Sequence, residues 1–372
     1  MARLEDVCKK ATSNIAQKDL AEHNGDYPIY GASGFIKNVD FYQQESPYIA
    51  VVKDGAGIGR VMKLPAKSSV IGTMQYIIPN DAVDISYLAY AMEHMNLSKY
   101  FTGATIPHIY FKDYQKEELP LPSLDEQRKI AAVLDKVSDL IAKRRQQLDK
   151  LDEMVKSRFV EMFGDLADPD CKYMRYKLEE ICISSDDIKC GPFGTQLNKN
   201  EYQEHGIAVW EIPQINSEFK ILPTHFLTSE KAKQLDAYSL IPGDIAMSRK
   251  GNVGRCALFP KGFAPGIIHS DVLRIRVDNS RVNPCFLMYQ LHFSKAVTHQ
   301  IEMVSSGAVM AGINVTKLKQ IYIHIPAFNL QQQFSAFVEQ VEKTKTTISR
   351  SLEQLETLKK ALMQEHFGEK IC

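Results

Sequence analysis

Two segments of this chain repeat one another at a constant offset, and this repeat limits the folds the chain can adopt. Residues 119–127 (LPLPSLDEQ) correspond to residues 323–331 (IHIPAFNLQ), and both copies run on to a Phe-Gly pair. Six matched pairs are each 204 residues apart: Gly103 and Gly307, Pro122 and Pro326, Gln127 and Gln331, Leu148 and Leu352, Leu151 and Leu355, Phe163 and Phe367. A match over about sixty residues without a gap predicts two half-molecules in tandem, which can pack about an internal pseudo-twofold axis.

The repeat extends towards the start of each half, but the offset is no longer constant. It is 174 residues between Leu4 and Leu178, 195 between Arg60 and Arg255, and 199 between Tyr87 and Phe286. The segments before the constant part therefore share a plan and differ in their insertions. Two domains that recognise different targets, each attached to a spacer of fixed length, would show this pattern.

The constant part of each copy is predicted to be a long helix in a coiled coil. Ser123 and Glu126 form a capping-box pattern, and Asn329 is expected to open the second helix. Apolar residues then recur in alternating steps of four and three, as in the seam of a coiled coil. Each seam carries cations at different positions, Arg144 and Arg158 in the first copy and Lys345 and Lys359 in the second. These cations favour one partner and one register.

The regions before the helices indicate mixed α/β domains with many short strands. Residues 47–52 and 60–63 suggest a hairpin around a glycine turn, and residues 243–248 and 254–258 repeat it. We therefore predict an α+β protein: two α/β domains joined by two long helices that form an antiparallel coiled coil with an internal pseudo-twofold repeat.

Composition sets further limits. The chain has 45 Lys and Arg against 45 Asp and Glu, so any nucleic-acid binding requires a basic face rather than an overall positive charge. Its seven scattered cysteines include no C-x-x-C pair, which favours reduced thiols over disulfides or a zinc site. No signal peptide and no long apolar run are evident. We expect a cytoplasmic protein without a membrane segment.

Three motifs resemble catalytic sites. Gly55-x-Gly-x-Gly59 would suit a nucleotide or S-adenosylmethionine only if it opened a helix, whereas a strand-like segment follows, so a hairpin turn is favoured. Residues 283–286 (NPCF) resemble a methyltransferase box, yet Asn283 as N-cap and Pro284 at the first helical position explain them better. Asp170 with Asp187 and Lys189 fits a loose nuclease pattern that the first copy lacks. No catalytic set, cofactor or metal site is predicted.

The remaining functional candidates are donors and cations near the loops. Glycine permits close backbone approach, and flanking Arg, Lys, Gln and Thr side chains can meet phosphates or base edges. The candidate DNA-binding residues are Lys53, Arg60, Lys63, Gln75, Thr105, His108, Thr195, Gln196, Arg249, Lys250, Arg255, His269, Ser270 and Ser306. For any one of these residues, a structural role or a solvated surface turn remains the competing interpretation.

The order of these parts resembles the specificity (S) subunit of type I restriction–modification systems. The likeness covers essentially the whole chain and includes the Pro-Leu-Pro-x-Leu-x-Glu-Gln helix start at residues 120–127, its end at 161–165 (EMFGD), and residues 191–197 (GPFGTQL). One departure is the second helix start, which has Asn-Leu-Gln-Gln332 where the motif has Glu-Gln, so the two docking surfaces are expected to be unequal.

The resemblance implies two target recognition domains that each read one half of a split sequence in double-stranded DNA. They are expected at residues 1–121 and 166–325, with conserved helices at 122–165 and 326–372. The helices would set the distance between the halves and dock two modification (methyltransferase) subunits and the ATP-dependent restriction subunits, with Val133, Leu140, Phe159 and Phe337 as candidate docking residues. The chain itself would be non-catalytic and need no cofactor.

Two alternatives remain open at this point: a DNA methyltransferase with its own recognition domains, and a coiled-coil scaffold. The sequence does not specify the bases read, the spacer length, the loop residues that contact bases rather than phosphates, or whether an active restriction subunit accompanies the chain.

Overall fold

The computed structural model describes residues 1–101, 107–164, 166, 171–305 and 312–368. The chain divides into two compact units: unit 1 is Met1–Leu148 with Thr347–Cys372, and unit 2 is Asp149–Thr346. Each of two long helices contributes one part to each unit. None of the helices in the described ranges combines the length and apolar character needed to cross a bilayer.

Unit 1 contains short strands, short helices and the first part of a long helix. Its elements are β1 (Ala2–Arg3), α1 (Leu4–Val7), β2 (Cys8–Thr12), β3 (Tyr27–Gly31), β4 (Gly34–Val39), β5 (Tyr48–Val52), β6 (Val61–Leu64), β7 (Ser69–Val70), β8 (Met74–Pro79), α2 (Ile85–His94), α3 (Phe111–Tyr114), β9 (Glu118–Leu119) and α4 (Leu124–Phe163). Short 3₁₀ turns occur at Gln17–Leu20 and Leu97–Tyr100.

Unit 2 repeats this plan with additional elements. They are β10 (Met174–Lys177), β11 (Ile188–Cys190), β12 (Ile207–Trp210), α5 (Ile212–Asn216), β13 (Phe226–Leu227), α6 (Ser229–Gln234), β14 (Ser239–Leu240), β15 (Ile245–Ser248), β16 (Cys256–Leu258), β17 (Gly266–Ile268), β18 (Val272–Ile275), α7 (Pro284–Phe293), α8 (Lys295–Ser305), α9 (Val315–Lys319), β19 (Tyr322–Ile325) and α10 (Phe328–Phe367). The 3₁₀ turns are Leu178–Ile181, Ser185–Asp187, Gly194–Gln196, Lys199–Glu201 and Asp236–Tyr238.

The same sheet order occurs in both units. Unit 1 has an antiparallel sheet in the order β2-β8-β5-β6, and unit 2 has its counterpart in the order β11-β18-β15-β16. A second sheet (β4-β3-β7 and β13-β12-β17-β14) combines antiparallel pairs with one parallel pair, and a two-stranded ribbon (β1-β9 and β10-β19) completes each unit. The predicted duplication and mixed α/β class are therefore confirmed.

The central strand of each main sheet is buried on both faces. Alternate residues of a strand point to opposite faces, so Ile49 and Val51 of β5 enter the core beneath α2, while Tyr48, Ala50 and Val52 pack on the other side. In β15, Met247 and Ala246 likewise lie on opposite faces of the sheet, each in a different hydrophobic core. These continuous apolar runs hold the β5–β6 and β15–β16 turns at fixed positions.

The long helices pack antiparallel within each unit. In unit 1, Ile130 and Leu134 of α4 share a core with Phe367 of α10, and Arg145 pairs with Glu356 at 2.7 Å. In unit 2, Phe159 and Phe163 of α4 pack on Phe334, with ring centroids 5.4 and 5.6 Å apart. Both helices have 40 residues, in agreement with the gap-free repeat.

The predicted seam cations in the second copy each find an acid. The ammonium of Lys345 lies 2.7 Å from Asp152 and 2.9 Å from Glu342 within unit 2. Burial alone would lower the pKa of Lys345, but these two carboxylates outweigh it and raise the pKa. Lys359 pairs with Glu93 at 2.9 Å in unit 1. A shifted register would leave these two half-buried ammonium groups without their carboxylate partners.

Two helix predictions were wrong. The second helix begins at Phe328, after Ala327, and not at Asn329, because the buried Gln331 side chain anchors its first turn to the Asn283 N–H and the Pro326 carbonyl. Phe159, expected on an exposed docking face, is 2% exposed, since this end of α4 covers α7 as well as α10. Val133 and Leu140 are exposed as expected, and Phe337 is half-buried.

A buried glutamine, which we call the clamp glutamine, joins the first turn of each long helix to the start of α2 or α7. The Gln127 side-chain oxygen accepts the Asp84 N–H at 2.8 Å, and its amide donates to the carbonyls of Ala82 and Pro122. Gln331 does the same in unit 2: its oxygen accepts the Asn283 N–H at 2.8 Å, and its amide donates to two further carbonyls. This paired glutamine, noted in the sequence only as part of the repeat, fixes the start of both long helices.

Candidate nucleic-acid interface

The first glycine loop joins β5 to β6 and is a turn rather than the start of a helix. Gly55, Gly57 and Gly59 all have positive φ, between 79° and 92°, a region that favours glycine. The Gly59 N–H donates to Val52 at 2.8 Å and closes the loop, and the strand β6 follows it. This confirms the predicted hairpin and gives no support to a nucleotide site of the helix-opening kind.

Lys53 and His108 meet at the base of this loop. The Lys53 ammonium lies 3.8 Å from Asp54, which also pairs with the His108 ring, and the Ile109 N–H donates to the Lys53 carbonyl. The Tyr110 ring lies 4.1 Å from His108 and is 48% exposed. Tyr110 was not among the residues predicted from the sequence. The alternation of His108 and Tyr110 with the buried Ile109 was a signal that these two residues share a face.

The other unit 1 candidates lie in different surroundings. Arg60 is exposed and donates to the Ala32 carbonyl at 2.8 Å, next to the turn between β3 and β4. Lys63 points away from the loop tip, towards Ser86 at 2.7 Å and Asp135 at 3.5 Å. Thr105 lies outside the described residues.

Gln75 does not suit a base contact. Its side chain is 4% exposed, and its amide hydrogen-bonds the buried Tyr114 hydroxyl. The prediction treated a polar residue in a strand as surface-facing, whereas both faces of this sheet are covered. Gln75 is therefore a satisfied interior residue in this structure.

Among the unit 2 candidates, Arg249 makes contacts with several other loops. Its guanidinium donates to the carbonyls of Ser270 and Ile313, both at 3.2 Å, and lies 4.8 Å from the Phe193 ring centroid. It therefore joins three loops that are distant in sequence. Ser270 contributes a main-chain carbonyl to this arrangement, which also accepts the Cys190 thiol at 3.1 Å, and burial raises the pKa of that thiol.

Lys250 and His269 lie beside this junction. The Lys250 ammonium pairs with Asp271 at 2.8 Å, and the His269 Nδ1 accepts the Asp271 N–H at 3.2 Å. Arg255 has a different neighbour, Glu218 at 3.1 Å. Ser306 lies outside the described residues.

Thr195 and Gln196 are exposed on the segment after Gly191. A Cβ on Gly191 would collide with the backbone of Ile268 and His269, so only glycine permits this approach. The segment is thereby held against the β17–β18 turn. Phe193, which the sequence reasoning did not single out, projects from it at 50% exposure.

Several of the candidate cations form ion pairs. Lys53, Lys63, Lys250 and Arg255 each have a carboxylate within 4 Å, in keeping with a chain of zero net charge. These carboxylates offset part of the positive charge that the cations would present to DNA. Across the described ranges, no group of three or more His, Cys, Asp or Glu side chains is arranged to hold a metal ion.

Comparisons with known proteins agree with this architecture. The family model "Type I restriction modification DNA specificity domain" matches residues 1–152 and 172–357. The MjaVIII specificity subunit of Methanocaldococcus jannaschii is 22% identical over 347 residues, covering 89% of this chain and 81% of that protein. The solved S subunit from M. genitalium aligns with a TM-score of 0.66 at 15% identity, covering 99% of this chain and 96% of that one.

A second solved chain has a TM-score of 0.53 at 15% identity and covers 98% of this chain and 96% of its own length. It comes from a study of complex assembly and conformational transition of the type I R-M system. The family model spans most of both units, and both structural likenesses extend over nearly the whole chain. The chain therefore belongs to the type I restriction–modification DNA specificity family, as an S subunit.

Proposed function

We propose that each unit reads one half of a split target in double-stranded DNA and that the length of the long helices sets the number of unspecified bases between the halves. The observation that carries this proposal is the duplication: sheet order, glycine turn, clamp glutamine and 40-residue helix occur once in each half of the sequence, whereas the loops and insertions differ. Equal helices favour a constant spacing, and unequal loops favour two different readers.

The proposal assigns the loop candidates to this reading. In unit 1 these are Lys53, Arg60 and His108, and in unit 2 they are the residues around Arg249 with Thr195 and Gln196. Small glycines, exposed donors and paired cations suit base and phosphate contacts. Lys63 lies further away, beside α2 and α4, and Gln75 is left out because it is buried.

We further propose that the chain is non-catalytic, cytoplasmic and assembled with two modification subunits and with restriction subunits. Val133 and Leu140, which are 48% and 39% exposed on α4, are the docking candidates, because exposed apolar residues at heptad spacing suit a protein partner. Alone, the chain should bind DNA weakly and should not methylate or cut DNA when given S-adenosylmethionine, Mg²⁺ and ATP.

The two alternatives receive less support. A methyltransferase with its own recognition domains needs an S-adenosylmethionine domain, and the family match leaves only residues 153–171 and 358–372 of this chain unmatched. A coiled-coil scaffold accounts for α4 and α10 but gives the duplicated glycine loops no role.

The test is to co-express the chain with modification subunits and map the methylated sites. We expect two short, unlike sequences separated by unspecified bases. Lys250→Ala or Arg255→Ala should weaken recognition in one half only, by about 1–3 kcal/mol if the lost contact is bidentate to a base. Arg60→Ala in unit 1 is the matched control and should affect the other half. A unit 2 substitution that altered the bases in both halves would contradict the proposal.

A further inference from the structure

Five side chains of unit 2 form a continuous row, which we call the reading ridge: Lys189, Tyr238, Gln196, Phe193 and Arg249. Gln196 and Phe193 are exposed, and the other three are half-buried. The Lys189 ammonium lies 5.4 Å from the Tyr238 ring centroid, and the Tyr238 hydroxyl is 3.0 Å from the Gln196 side-chain oxygen. Phe193 stacks with the Arg249 guanidinium at 4.8 Å. The ridge thus combines an exposed amide with two aromatic rings and two cations, the side-chain types that contact DNA.

The orientation of the Gln196 amide is fixed by its neighbours. The Phe193 N–H lies 3.2 Å from the Gln196 side chain, and a backbone N–H can only donate. The atom that faces it must therefore be the carbonyl oxygen, Oε1. The Tyr238 hydroxyl donates to the same oxygen, so both lone-pair positions of Oε1 are used within the protein.

The Nε2 group of Gln196 is left as the outward-facing part of the amide. No hydrogen bond from Nε2 to another residue occurs within the described parts of the chain, and Gln196 is exposed. The supporting segment is constrained because Gly191 packs against the backbone of His269 and Gly194 has a φ of 57°. The amide is therefore preorganised as a donor, and little ordering remains when it binds.

We propose that Gln196 reads a base edge in the unit 2 half-site as a hydrogen-bond donor only, and that Phe193 and Tyr238 position it. A free glutamine amide pairs with adenine by donating to N7 and accepting from the N6 amine. Here the accepting oxygen is already occupied. Guanine presents two acceptors, O6 and N7, and thymine presents O4, whereas the N6 amine beside the N7 acceptor of adenine would find no free acceptor on Gln196. The ridge therefore favours guanine or thymine at the contacted position. This inference rests on the proposed function.

The test uses the complex with modification subunits and a DNA library randomised at the unit 2 half-site. Gln196→Glu keeps one oxygen for Phe193 and Tyr238 but replaces the outward donor with an acceptor. We expect the preference for guanine or thymine at one position to fall about tenfold or more and to move towards cytosine or adenine, which present amines. Gln203→Glu makes the same charge change at an exposed residue outside the ridge and is the matched control.

Tyr238→Phe tests the positioning role, because it removes only the hydroxyl. We expect a severalfold loss of preference at the same position with the other positions unchanged, whereas a merely structural role would weaken the whole half-site evenly. The inference is overturned if Gln196→Glu gives the base profile of Gln203→Glu, or lowers affinity without changing the profile. A wild-type complex that selects no split sequence at all would instead overturn the proposed function.

Discussion

Replacing Gln331 with leucine should destabilise unit 2 by an amount that the structure allows us to work out. The side chain is fully buried and makes three hydrogen bonds, to the Asn283 N–H at 2.8 Å and to the carbonyls of Pro326 and Arg281 at 2.8 and 3.3 Å. At about 1 kcal/mol net for each bond, the expected loss is about 3 kcal/mol. Leucine has a similar volume but leaves the Asn283 donor unpaired at the start of α7.

Tryptophan fluorescence measures this loss in one unit of the intact chain. Trp210 is the only tryptophan in the sequence, and it is 3% exposed in unit 2, against Phe219 and Phe259. With an m-value of about 3 kcal/mol/M for urea, a loss of 3 kcal/mol lowers the unfolding midpoint by about 1 M.

Gln332→Leu is the matched control for this experiment. Gln332 is the exposed neighbour of Gln331 on the same helix, and its replacement should change the free energy of unfolding by less than about 0.5 kcal/mol. If the Gln331→Leu midpoint coincided with that of Gln332→Leu, the clamp would have no energetic role and the reasoning would be refuted.

Three further predictions concern the stability of unit 2 and the exposed face of α4. Burial and the nearby Arg255 cation lower the pKa of His292 below 6.5, so on acidification the unfolded chain binds a proton at this residue before the folded chain does. The free energy of unfolding should therefore fall as the pH drops below 6.5. His292→Gln should flatten this pH dependence, measured by Trp210 fluorescence. Phe159→Ala should cost about 3–5 kcal/mol in urea unfolding, because its ring lies among four other phenylalanines. Leu140→Ser should leave stability nearly unchanged and weaken co-purification with modification subunits; an unchanged complex would remove Leu140 from the docking surface.

The overall arrangement of the fold was predictable because it appears in the sequence as a repeat with a constant offset. The constant 204-residue offset predicted two equal helices, and the glycine turns predicted both hairpins. Asn283 was correctly expected to be an N-cap: its side chain accepts the N–H groups of Cys285 and Phe286. Each of these features depends on residues that lie close together in the sequence.

The errors came from tertiary packing that local patterns do not report. Asn329 is a good capping residue, yet the helix starts earlier because the buried Gln331 sets its position. Phe159 lies one place from the strict seam, and α7 supplies the second surface that buries it. Gln75 is polar, but its partner Tyr114 is 39 residues away.

The candidate site was predicted in part. Arg249 and Gln196 could be selected from the sequence, since each lies two residues from a glycine. Tyr238 could not be selected, because it reaches Gln196 only through the Asp236–Tyr238 turn, which folds back beside that residue. Phe193 was visible inside the glycine-rich motif but had no assigned role until its contact with Arg249 was known.

The most direct test of the account is to lengthen both long helices by one heptad and map the methylated sites. Seven residues inserted between 148 and 149 in α4 and between 346 and 347 in α10 add about 10.5 Å at 1.5 Å per residue. At about 3.4 Å per base pair, the unspecified spacer should grow by about three base pairs while both half-sites keep their bases. An unchanged spacer, or new bases in either half, would contradict the claim that the helices measure distance and the two units read sequence.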